Sequence, residues 1–153
     1  MPLRIDVHWE WSGAIISDGE QSVRVFTMLL GPALTDLTEA VIRLLRGIEH
    51  TTAFWEDDPG QYRWVFDRDG ERVRVQILHF ARAFTHVDDQ HGTCVFDAGC
   101  RLAVLAGQVV SELERLQTDH PSCTEPSPAG RKYVPVAAYH VLHQLIRQRK
   151  QRR

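Results

Sequence analysis

A chain of 153 residues with a hydrophobic share of 43% and a charged share of 25% has the balance of one soluble globular domain, long enough to bury a core without disulfide or metal staples. Its apolar runs are far shorter than the roughly 18 residues of a bilayer-spanning helix, so no membrane segment is predicted. The net charge of −2 is uneven: Arg147, Arg149, Lys150, Arg152 and Arg153 put five of the eighteen basic residues in the last seven positions, and the remaining thirteen stand against twenty acidic ones. An acidic body argues against general nucleic-acid binding, which needs a basic face.

The reading is a single domain over 1–146 followed by a basic tail over 147–153. Cys94, Cys100 and Cys123 are too few for a disulfide framework and form no Cys-x-x-Cys pair, so reduced thiols in a cytoplasmic protein are expected. Ile5, Val7, Trp9 and Trp11 alternate with Arg4, Asp6, His8 and Glu10, which predicts a strand with both tryptophans inward and no signal-peptide core. Gly13 suits a bulge before Ala14–Ser17, and Asp18-Gly19 offers a reversal into a strand over 22–30 that Gly31-Pro32 ends. Leu34, Leu37, Val41, Leu44, Leu45 and Ile48 keep the three-four spacing of a core-facing helix over about 33–46, with Asp36 and Glu39 near its start and Gly47 at C′.

His50–Trp55 returns to the sheet before the turn Glu56-Asp57-Asp58-Pro59-Gly60. Tyr62, Trp64 and Phe66 then share one parity, and Val73, Val75 and Ile77 repeat it after Asp69-Gly70. With Asp69-Gly70 as a two-residue turn, Phe66 faces Val73, Trp64 faces Val75, Tyr62 faces Ile77 and Asp67 faces Arg72. A loop over 85–92, a strand over 93–98 broken by Gly99, and a helix carrying Leu102, Leu105, Ala106, Val109, Leu113 and Leu116 follow. Pro121–Gly130 reads as an ordered surface loop or hinge, and Val136, Tyr139, Leu142 and Ile146 as a terminal helix of about three turns fraying into the tail. The sum is an α+β fold: an antiparallel sheet of about five or six strands with two or three helices on one face.

Two regions carry candidate chemistry. His86, Asp88, Asp89 and His91 place imidazoles and carboxylates within six positions of a loop, a set that can hold a divalent metal or serve a metal-dependent hydrolase or small-ligand site; a solvated polar loop is the competing reading. Glu56, Asp57, Asp58, Asp88 and Asp89, with Arg63, Arg72 and Arg74 on the outer face of the central hairpin, form a mixed charged surface suited to recognising another protein; cross-strand charge pairs on a solvated face are the alternative. Cys94, three residues after His91, reads as a core thiol by its parity with Phe96 and Ala98 rather than as a nucleophile. His140 and His143, three apart on the terminal helix, suit packing or exposure. No Gly-x-Ser-x-Gly, phosphate-binding glycine loop or His-Glu-x-x-His is present.

The run Phe54-Trp55-Glu56-x-x-Pro59-Gly60-x-Tyr62-Arg63-Trp64, with Asp69-Gly70 and Val73-x-Val75, resembles a group of uncharacterised small proteins from high-GC actinobacteria, as does the preference for arginine over lysine, sixteen to two. The chain also resembles, in size and acidity, the α+β immunity proteins of bacterial toxin–antitoxin systems. That resemblance implies a non-enzymatic cytoplasmic module that occludes a cognate toxin, with no cofactor. A structural homodimer or assembly component is the remaining alternative.

Overall fold

In a computed structural model, which describes residues 2–82, 87–125 and 132–152, the chain runs β1 (Arg4–His8), β2 (Gly13–Ser17), β3 (Ser22–Phe26), α1 (Leu30–Leu45), β4 (His50–Asp57), β5 (Gly60–Asp69), β6 (Arg72–Phe80), a 3₁₀ turn (Asp89–His91), β7 (Thr93–Arg101), α2 (Leu102–Asp119) and α3 (Val136–Gln151). The fold is α+β. Its strands form two antiparallel sheets, β1-β2-β3 and β4-β5-β6-β7, rather than one sheet of five or six. The division falls after β3, because Thr27 and Met28 turn the chain into α1 and only touch the end of β4: the Met28 N–H (2.8 Å) and the Thr27 hydroxyl (3.0 Å) donate to the Glu56 carbonyl. Among the described residues, no helix is long and apolar enough to cross a membrane.

One core joins both sheets and all three helices. Ile5, Val7, Ala14, Ile16 and Val25 enter from the small sheet, and Trp55, Trp64, Phe66, Val75, Ile77 and Phe96 from the inner face of the large one. The ring centroids of Trp55 and Trp64 are 5.3 Å apart. The apolar stripes expected on α1 and α2 are the buried ones, except that Leu45 is half-buried and Ile48, beyond the helix, is exposed. The end of α1 follows from Gly47: at φ +100° it lets its own N–H reach the Leu44 carbonyl (3.0 Å) and the Ile48 N–H reach that of Arg43 (3.1 Å), a Schellman motif.

The central hairpin keeps its expected faces but slips by two residues. Asp69 pairs with Arg72, Asp67 with Arg74, Phe66 with Val75, Trp64 with Ile77 and Tyr62 with His79. Gly70-Glu71 is the two-residue turn. Gly70 has φ +62° while Glu71 stays at negative φ, which suits a type II′ turn with glycine first rather than the type I′ turn expected of Asp-Gly. A shift of two preserves side-chain parity, whereas a shift of one would have turned Trp64 to solvent.

Other expectations are corrected by local geometry. Trp9 and Trp11 lie past the end of β1 and are half-buried; Trp9 stacks on His120 at 4.3 Å, and Trp11 lies beside His8 and Phe26. Gly99 does not break β7, whose pairing with β6 continues through Cys100 and Arg101. A bulge opposite Ile77/Leu78 sets Cys94 against Leu78, so Cys94 is exposed rather than a core thiol. The terminal helix continues through Arg147, Arg149 and Lys150 to Gln151, so the expected domain edge at 146/147 lies inside α3, where Arg149 Nη2 binds Glu71 Oε2 at 2.6 Å.

Side chains from the helices and from the β2–β3 turn cover three strand edges. On β1, the N–H groups of Ile5 and Val7 donate to Gln108 Oε1 (3.0 Å) and Glu112 Oε1 (2.6 Å), and Arg115 Nη2 donates to the Val7 carbonyl (2.6 Å). The fit is geometric, since two strand steps cover about 6.8 Å and four helix steps about 6 Å. On β4, the Phe54 N–H donates to Asp36 Oδ2 at 2.6 Å and Arg43 Nη2 to the Thr52 carbonyl at 3.4 Å. On β7, the Gln21 amide meets both backbone groups of Asp97, at 2.7 and 3.4 Å. Replacing Glu112 with Leu strands the Val7 N–H and is expected to cost about 1–3 kcal/mol in urea denaturation, less than the about 3–5 kcal/mol of Trp64→Ala. A Glu112→Leu variant as stable as wild type would show that this edge is held by packing alone.

Candidate functional site

The acidic turn between β4 and β5 is built by close backbone approach. A Cβ at Gly60 would lie 2.9 Å from the Phe80 carbonyl, so only glycine lets the turn settle against the end of β6. Glu56 and Asp58 are exposed there, and Asp57 is half-buried. The hydrogen bonds from Thr27 and Met28 to the Glu56 carbonyl set the end of β3 beside this turn. Phe26 and Met28, 36% and 49% exposed, lie on this segment that meets the turn, with the Trp11 ring 5.2 Å from Phe26. His8 stacks on Trp11 and pairs with Glu10 at 3.3 Å.

A cleft of about 370 Å³ opens between β4 and the first turns of α1, lined by Thr27, Phe54, Glu56, Asp36, Glu39 and Tyr133 among others. Burial raises the Asp36 carboxyl above its ordinary value of 3.8, against the opposing pull of the Phe54 N–H and of Arg43. This surface was not anticipated, although the alternation of Val23 and Val25 with Arg24 and Phe26 already assigns Phe26 to the outward face.

The residues expected to bind a partner do not form one surface. Arg63 is only 4% exposed. Its guanidinium lies 5.2 Å from the Phe54 ring centroid and 4.4 Å from that of Phe80, and Nη1 donates to the Val87 carbonyl (2.8 Å) and to Asp89 Oδ1 (2.7 Å). Arg63 thus ties the 87–91 segment over the outer face of the large sheet, where Val65, Leu78 and Phe80 form a second small core. Arg72 and Arg74 lie at the other end of the hairpin. The ten residues of β5 put about 30 Å between its ends.

Arg74 is held by Asp97 at 3.0 and 2.7 Å, and His50 by Asp67 at 2.6 Å. Asp67 is opposite both His50 and Arg74, and Asp97 lies diagonally across from Arg74, whose direct neighbour on β7 is Gly99. The hydrogen bonds between them chiefly hold Arg74 above and Asp97 below their ordinary values. Arg72 is exposed beside Arg101.

His86 lies outside the described residues. Asp88 and His91 are exposed and Asp89 is engaged by Arg63, so among the described residues no three His, Cys, Asp or Glu side chains are grouped to hold a metal. Burial pushes the Cys100 thiol up to about 11, against thiolate chemistry there. His140 and His143 both contact the Tyr139 ring, at 5.2 and 5.6 Å. No protein-family model, curated protein or solved structure matches the chain.

Removing one partner of the Arg63–Asp89 pair should reveal its role. With Asp89 replaced by Asn, the buried guanidinium loses its counter-charge, and a loss of about 1–2 kcal/mol is expected because the carboxylate is half exposed; faster amide exchange over 87–92 would localise it. Arg63→Met, which fills the same channel without charge, should be closer to neutral. A second test follows from Asp36. Its folded value is raised, so the folded state holds the proton more tightly than the unfolded chain. Its unfavourable contribution is absent below 3.8 and grows as pH rises through the folded value. The stability of wild type relative to Asp36→Asn should therefore fall between pH 3 and neutral, and a flat difference would count against a desolvated carboxyl.

Proposed function

We propose that the chain is a non-enzymatic protein-binding module of the immunity type, acting in the cytoplasm on a cognate toxin whose contact face is basic. The observation that carries this reading is the exposed Phe26 and Met28, with the half-buried Trp11 against Phe26, on the segment that meets the Glu56–Asp58 turn. Aromatic rings and methionine within a charged rim are the composition of a protein-recognition patch. The acidic cleft at Asp36, Glu39 and Glu56 extends the rim and suits a basic side chain of the partner. In this mechanism the carboxylates accelerate encounter and the apolar group slows release, with no covalent step. Arg63, being buried, supports the surface rather than touching the partner, and Arg72 and Arg74 belong to the opposite end of the sheet.

The test begins with the protein that co-purifies from the native host at low salt, identified by mass spectrometry and then measured as a purified pair. Replacing Asp57 and Asp58 together with Lys should slow association about tenfold or more and flatten its salt dependence. Replacing Phe26 and Met28 together with Ala should mainly speed dissociation. Unchanged association kinetics in the Lys variant would rule out the acidic surface as the recognition site.

A further inference from the structure

Between the end of α1, the first half of α2 and the last turns of α3 lies a second cleft, of about 140 Å³, whose walls are Leu45, Ala103, Ala106, Gly107 and Ile146. Arg149 and Lys150 stand at its mouth. Gly107 is the informative residue. Glycine inside a helix is unfavourable relative to alanine, and close packing does not explain it here, because a Cβ at Gly107 would meet no atom within 4 Å. What the missing side chain leaves is open apolar volume. Leu45 and Ile146 are only half-buried beside it, so the core does not consume that space.

Size and charge narrow the occupant. An apolar cavity of about 150 Å³ accommodates a benzene ring, close to the volume of this one. At the mouth Arg149 gives Nη2 to the Glu71 carboxylate and is thereby paired, whereas Lys150 is exposed, so Lys150 is the cation that can meet an anion. An apolar pocket with a cation at one side suits a compact apolar group carrying an anion.

We propose that this cleft binds a small aromatic carboxylate of about benzoate size, with the ring against Ala106 and Gly107 between Leu45 and Ile146 and the carboxylate at Lys150. The inference is independent of the protein-binding reading, which uses the opposite end of α1.

The test titrates benzoate, and benzyl alcohol as its uncharged counterpart, into the full chain by calorimetry, alongside Gly107→Leu and Lys150→Gln. Expected are one saturable benzoate site, benzyl alcohol weaker by about tenfold, and Lys150→Gln weakened toward the alcohol, a difference of the size one charge contact supplies. Gly107→Leu should fill the cleft and abolish binding with the melting temperature preserved. Lys150→Gln changes an exposed residue and carries the test if the leucine variant fails to fold. Absence of saturable binding, equal affinity for acid and alcohol, benzoate affinity unchanged in Lys150→Gln, or benzoate binding that survives in folded Gly107→Leu would each overturn the proposal.

Discussion

The structure depends on satisfying the backbone groups at the edges of its two short sheets. A strand edge offers a row of unpaired N–H and C=O groups, which must find partners or remain in water where they invite further strands. Here the helices supply partners with side chains. Gln108, Glu112 and Arg115 lie along one face of α2, the first two at a spacing that matches alternate residues of β1, and Asp36 and Arg43 of α1 reach the backbone of β4. The apolar stripe of each helix builds the core, and the polar residues beside the stripe fix the position of the sheet edge. A helix here cannot rotate without losing both.

β3 supplies the remaining connection between the sheets. Just before the strand, Gln21 holds the β7 edge through both backbone groups of Asp97; just after it, Thr27 and Met28 reach the last residues of β4. The small sheet is thereby fastened to both outer strands of the large one. The same attachment brings Phe26 and Met28 beside the acidic turn, so an apolar surface and a charged one, far apart in sequence, become neighbours for a structural reason.

Periodicity in the sequence was informative wherever one face had to be dry. The two-residue alternation around Trp64 and Val75, the stripes of α1 and α2, and Gly47 at C′ follow from burial and backbone sterics alone, and each appears in the structure. The register of the central hairpin was less legible, because any even slip keeps Tyr62, Trp64 and Phe66 inward and the choice falls to turn chemistry at Asp69-Gly70-Glu71. A bulge is less legible still: one extra residue near Val95 moves Cys94 from the core parity to the surface. The fate of Arg63 depended on a non-local partner, since an arginine alternating with buried aromatics reads as solvent-facing until Val87 and Asp89 fold back over it.

The burial of Arg63 also changes how the outer face is understood. Among the described residues, its Nε and Nη2 and both amide atoms of Gln61 are buried and meet no hydrogen-bond partner, and the guanidinium lies against the Phe54 and Phe80 rings. Unpaired polar groups in such a place carry a desolvation penalty that one salt bridge with a half-exposed Asp89 only partly offsets. The two ends of the large sheet therefore differ in kind. At the Arg74 end, Arg74 is paired with Asp97 across strands, Arg72 stands beside Arg101, and all of them are solvated. At the Arg63 end, a charged fork and an amide are covered at an energetic disadvantage, beside the acidic turn. The Arg63 end is thus held by the 87–91 segment folded over the sheet, and the Arg74 end by pairing between strands in water.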